Sequence, residues 1–152
     1  MVIDPRRTET AKIADKYLGI NISTGVYFLL AMLNIIVSEH LYDQHHVAQY
    51  SHGLEEVAAA IHIFTAEVAE QHTGIDAAEI YEVARSFAKA SSGVLYYHMG
   101  VIANHHATLV TWLIQTIKFI TNNKGRKGGS LINPLLLDHN ILYRLNKKHC
   151  LR

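Results

Sequence analysis

The sequence predicts an all-α chain: four to five helices in a bundle, with one very long helix at about 76–122. Three observations predict it. The only prolines, Pro5 and Pro134, stand near the two ends, so the residue most disruptive to helices is missing from everything between. Apolar residues in that span recur at the 3.6-residue spacing of an amphipathic helix, with no alternating run long enough to matter as a strand. At 152 residues, 49% apolar and 18% charged, the chain can bury a core as a single domain.

The elements follow in order. Residues 1–7, containing Asp4-Pro5-Arg6-Arg7, read as an extended basic arm. Thr8 can cap a short helix reaching about Leu18, and Gly19–Ser23 breaks it. A second helix runs from Thr24 to about His46. Its first half, GVYFLLAMLNIIV, is apolar nearly all round and should be buried centrally or in an interface. After a break at Ser51-His52-Gly53, residues 54–72 form a third helix, with Leu54, Val57, Ala58, Ile61, Phe64, Thr65 and Val68 on its repeat and Gly74 closing it. Asp76 caps the long helix, and Glu79 sits in its first turns, where a carboxylate suits the dipole. Unbroken to Asn122-Asn123, that helix would be roughly 70 Å long, with Ser91-Ser92-Gly93 the place where it could kink or split. Residues 124–133 form a basic flexible loop. Pro134 then opens a last helix, 134–149, whose Arg144, Lys147 and Lys148 lie at the C-terminal end, where cations complement the dipole.

Charge is sorted along the chain. Between Lys16 and Arg85 there is no Lys or Arg but nine carboxylates: Glu39, Asp43, Glu55, Glu56, Glu67, Glu70, Asp76, Glu79 and Glu82. From Arg85 onward ten Lys and Arg residues face the single acid Asp138. Such asymmetry concerns partners more than fold. Projected at 100° per residue, Arg85, Lys89, Gly93, Tyr96, Gly100, Asn104, Thr111, Gln115, Lys118 and Asn122 share one face of the long helix, and Val94, Leu95, Met99, Val101, Ile102, Leu109, Trp112, Leu113, Ile117, Phe119 and Ile120 lie opposite as core. A solvent face explains the polar stripe by itself. With Arg6, Arg7, Lys124, Arg126, Lys127, Arg144, Lys147 and Lys148 added, it becomes a candidate surface for a polyanion, held by phosphate contacts that ignore sequence. No base-reading motif accompanies it.

Eleven histidines raise a metal or haem alternative, but their spacing lacks His-Glu-x-x-His, Glu-x-x-His and Cys-x-x-Cys-His. Arg144–His149 matches the loose Arg-x4-His pattern of HEPN-type ribonucleases, a second alternative. Neither a catalytic constellation nor a cofactor is predicted. Lone Cys150 forms no internal disulfide, and the polar N-terminus predicts no signal peptide. Residues 25–37 are too few to span a bilayer, and 94–120 carry His98, Asn104, His105, His106, Gln115 and Lys118, so no membrane span is expected.

On Pro5-Arg6-Arg7, the stripe from Arg85 to Asn122 and Lys124-Gly-Arg-Lys-Gly-Gly129, the chain resembles the helical major coat proteins of filamentous and rod-shaped archaeal DNA viruses. The resemblance implies a structural, non-enzymatic protein of the virion. It would pair as a homodimer, or as a heterodimer with a related coat protein, and wrap double-stranded DNA. It rests on architecture and transfers no individual residue.

Overall fold

A computed structural model describes residues 1–103 and 105–130. Val2–Asp4 (β1) and Tyr17–Gly19 (β2) pair in parallel, with Val2 opposite Tyr17, Ile3 opposite Leu18 and Asp4 opposite Gly19. Glu9–Ile13 (α1) lies in the crossover between them, capped by the Thr8 hydroxyl, which accepts from the Ala11 N–H at 3.2 Å. The basic arm is therefore not an arm. Its first residues are tied into a sheet, Val2 N–H donating to Lys16 O at 2.9 Å, because β-branched Val2 and Ile3 find a partner strand that lies beyond the reach of local pattern. Lys16 then fastens this βαβ unit to the helices by ion pairs to Glu82 at 2.7 Å and Glu79 at 3.8 Å.

Gly25–Ser38 (α2) is the centre of the molecule. Ala31, Met32, Leu33 and Ile36 are fully buried on it, as its all-round apolar sequence requires. Around it pack Leu54–Ile61 (α4), Ala66–Thr73 (α5), Ala77–Lys89 (α6) and Ala107–Ile120 (α8), with Gln44–Tyr50 (α3) against α8 and short Met99–Ile102 (α7) beside it. Among the described residues there are thus eight helices and a two-stranded parallel sheet, not a bundle of four to five helices.

Each departure has a local cause. The second helix stops at Ser38, not His46. His40 adopts a left-handed φ of 53°, and two bonds close the end, His40 N–H to Val37 O at 3.1 Å and Leu41 N–H to Ile36 O at 2.9 Å. The expected helix 54–72 is two helices, because the Asn34 amide of α2 reaches across and donates to His62 O at 3.4 Å and to Phe64 O at 3.1 Å, and Thr65 restarts the chain by capping Val68 N–H at 3.4 Å. The very long helix does not form. α6 ends at Lys89, Ala90 turns to an extended φ, ψ of −64°, 138°, and residues 91–98 are irregular before α7. Gly93 is held there by its N–H, which donates to Asn123 Oδ1 at 2.8 Å, and a Cβ on it would meet Phe87 at 2.8 Å. The final helix expected at 134–149 lies outside the described residues. Among those described, no helix is long and apolar enough to cross a membrane.

Candidate functional site

Two surfaces carry chemistry or contact. The first is the carboxyl end of the small sheet, the position where open parallel sheets place ligands. Asp4 closes the turn after β1, its Oδ1 accepting the Arg6 N–H at 2.8 Å, while its carbonyl accepts the Tyr17 hydroxyl at 2.9 Å. Pro5 follows at the fixed φ that suits such a turn. Arg6 and Arg7 project from it exposed, Arg7 lying over the Tyr17 ring at 5.9 Å. Neither guanidinium has a carboxylate partner among the described residues. Two unneutralised arginines at a strand end can hold a phosphate-bearing ligand through bidentate bonds.

The second surface is apolar. Ile102, Ala107, Thr108, Thr111, Trp112 and Gln115 line an open cleft of about 520 Å³ between α7 and α8. None of these side chains titrates, so the cleft offers contact and not acid–base chemistry. Met99 of α7 and Leu109 and Trp112 of α8 are exposed, as are Val94 and Tyr96 in the segment before α7. The sequence projection assigned Val94, Met99, Leu109 and Trp112 to the core. Periodicity identifies an apolar face without saying what covers it.

The cationic stripe dissolves with the long helix that defined it. Arg85, on α6, is neutralised by a bidentate pair with Glu39, Nε to Oε2 at 2.9 Å and Nη2 to Oε1 at 2.6 Å, and this bonding holds the Glu39 carboxyl below its usual range. Lys89 is exposed in the last turn of α6, and Tyr96 sits in the irregular segment. Gln115 lines the apolar cleft. Lys118 is buried on α8 at 7% exposure, and burial, aided by nearby Lys124, lowers its pKa. Lys124, Arg126 and Lys127 are exposed in the loop after α8, but Arg126 is spent on structure, its Nη2 donating to Ser91 O at 2.9 Å. Asn104, Arg144, Lys147 and Lys148 lie outside the described residues, as does His149 of the ribonuclease pattern. The acidic block is likewise partly used internally, through Glu39, Glu79 and Glu82. Among the described residues no group of three His, Cys, Asp or Glu side chains stands together as a metal site.

No protein-family model matches the chain. Individual proteins do. It is 32% identical over 141 residues to formate dehydrogenase H of Escherichia coli (strain K12), covering 93% of this chain and 20% of that protein. It is 35% identical over 141 residues to the F420-dependent formate dehydrogenase subunit alpha of Methanocaldococcus jannaschii, covering 93% and 21%. Its fold matches acetylene hydratase from Pelobacter acetylenicus with a TM-score of 0.76 at 26% identity, over 84% of this chain and 17% of that one. The chain therefore spans about a fifth of the length of the curated relatives it matches. These findings overturn the coat-protein resemblance, and with it the double-stranded DNA partner, the coat-protein dimer, the virion location and the non-enzymatic reading. The relatives are enzymes. Neither the metal or haem alternative nor the ribonuclease alternative gains support from them. Basic turns and apolar helical periodicity are physical commonplaces, and the long helix on which the resemblance leaned does not form, which is why architecture alone misled.

Proposed function

We propose that this chain is a segment of a formate-dehydrogenase-like oxidoreductase of the molybdoenzyme kind. The observation that carries the reading is similarity of 32% and 35% identity over 93% of the chain to two formate dehydrogenases. A molybdopterin-type cofactor is anionic through its phosphate, and when bound it supplies the redox chemistry of the reaction. Of the residues here, Arg6 and Arg7 fit that group. They are paired cations at the carboxyl end of a parallel sheet, free of carboxylates among the described residues and held in place by the Asp4 turn and the Tyr17 ring. The segment's contribution is to bind and orient the cofactor's phosphate.

The test is formate-dependent reduction of a viologen dye by the assembly purified from its source through a tag on this chain. Reduction that requires formate is expected. Hydration of acetylene without dye reduction would replace the reading with the activity named for the structural relative. Arg6→Ala with Arg7→Ala should lower the molybdenum content of the assembly without lowering its recovery. Unchanged molybdenum content would remove the two arginines from the cofactor site.

A further inference from the structure

We propose that residues 94–98 are an unpaired β-strand, completed in the working protein by a strand from the remainder of the larger formate-dehydrogenase-like polypeptide. The proposal rests on the reading just given and extends it to an interaction surface.

The backbone carries the inference. From Val94 to His98 no N–H donates a hydrogen bond to any group among the described residues, and only His98 O accepts one, from Val101 N–H at 2.9 Å. Five consecutive unbonded amides are unusual outside a sheet edge or a solvated loop, because main-chain polar groups in folded proteins are nearly always paired. The side chains exclude a solvated loop. In Val94-Leu95-Tyr96-Tyr97 one residue is β-branched and two are aromatic, side chains enriched in strands. Exposure alternates along it: Val94, Tyr96 and His98 are exposed, while Leu95 and Tyr97 are half-buried and pack on the core. A period of two is the signature of extended chain with one face seated. His98 is extended, at φ −130° and ψ −176°.

The segment is also held at both ends. The Gly93 N–H is anchored on the buried Asn123, Arg126 grips Ser91 O, and α7 begins at Met99. Its position is thus fixed although its ladder is empty among the described residues. On its outward face Val94 and Tyr96 are exposed, at 59% and 82%. Apolar contact beside a row of unpaired amides is the arrangement that β-strand addition uses. The occupant follows from length. The chain covers only 17% of the chain whose fold it shares at a TM-score of 0.76, so in a protein of that kind most of the polypeptide lies outside this segment and is available to supply a strand.

The experiment is hydrogen exchange read by mass spectrometry on the 152-residue chain alone and on the assembly purified from its source. In the chain alone, amides of Leu95–His98 should exchange close to the unstructured rate, while α2 stays protected and reports an intact fold. In the assembly, the same amides should slow by about a hundredfold or more. Equal, fast exchange of 94–98 in both states, with α2 protected, overturns the proposal. Protection of 94–98 in the chain alone, accompanied by dimers in sedimentation, also overturns it, since the occupant would be a second copy. Recovery from the source only as a free monomer overturns it too. Protection in an assembly that lacks formate activity keeps the strand and sinks the functional reading. Formate activity without protection sinks the strand alone.

Discussion

Two side chains show how burial and bonding, more than charge count, decide a residue's role. Asp43 ends the link after α2 and caps α3, its Oδ1 accepting the His46 N–H at 2.9 Å while Oδ2 accepts the Asn122 amide at 2.9 Å. The bond from His46, then that from Asn122, lowers its pKa below the ordinary 3.8. A depressed carboxylate stabilises the fold fully above its unfolded pKa, and the contribution is lost as pH falls through the lower folded value. Asp43→Asn should therefore melt below wild type at pH 7, and the gap should close below about pH 4. A gap of constant size across that range, measured by thermal denaturation, would refute a charge-dependent role. Lys118 carries the opposite sign. Burial lowers its pKa from the ordinary 10.5, so its protonated form opposes folding, and the opposition fades as pH rises through the lowered value. Lys118→Met should raise the melting temperature at neutral pH, with a gain that shrinks in alkaline buffer. A loss of stability at neutral pH would mean that the ammonium has a favourable role that the fold does not reveal.

At the scale of elements, one buried amide joins what the sequence read as a single helix. Asn123, 1% exposed, accepts from Gly93 N–H at 2.8 Å and donates to the Thr121 hydroxyl at 3.1 Å. Asn123→Ala would leave the Gly93 amide unpaired, costing about 1–3 kcal/mol, and should loosen residues 91–98 before it loosens α2. Urea unfolding with hydrogen exchange would show both effects, and a stable variant with 91–98 unchanged would contradict the anchoring. The same region marks what was legible. Features set by neighbouring residues could be read directly: the Thr8 and Asp76 caps, the left-handed Gly74 after α5, and the buried α2. The sheet could not, because strands of three residues carry almost no pattern and Ile3 meets Leu18 only through tertiary pairing. The break at Ser91-Ser92-Gly93 was visible as a possible split. The apolar period continued beyond it, however, and outweighed a local signal whose decisive partner, Asn123, lies 30 residues away. The strand-end arginines were visible as basic residues, but not as the flank of a parallel sheet.

At the scale of the whole molecule, the α7–α8 face explains why an apolar helix can be read correctly and placed wrongly. Its inward side, Val110, Leu113, Ile114 and Ile117, is buried against the core, whereas Leu109 at 39% and Trp112 at 44% exposure face outward beside the cleft. A helix apolar on both sides is suited to being covered on both, and contiguous exposed apolar surface of this kind marks a contact. On the reading proposed above, the cover is the remainder of a longer polypeptide, since the chain spans about a fifth of the curated relatives it matches. Leu109→Ser with Trp112→Ser removes groups that are partly buried in this chain, so unfolding of the isolated chain should weaken by roughly 2–4 kcal/mol. Recovery of the assembly should also fall about tenfold, equivalent to roughly 1.4 kcal/mol of lost association. Quantitative recovery of tagged assembly alongside unfolding of the chain separates the two effects. A variant that unfolds early and assembles normally would place these side chains in the core of this chain, and not at a contact surface.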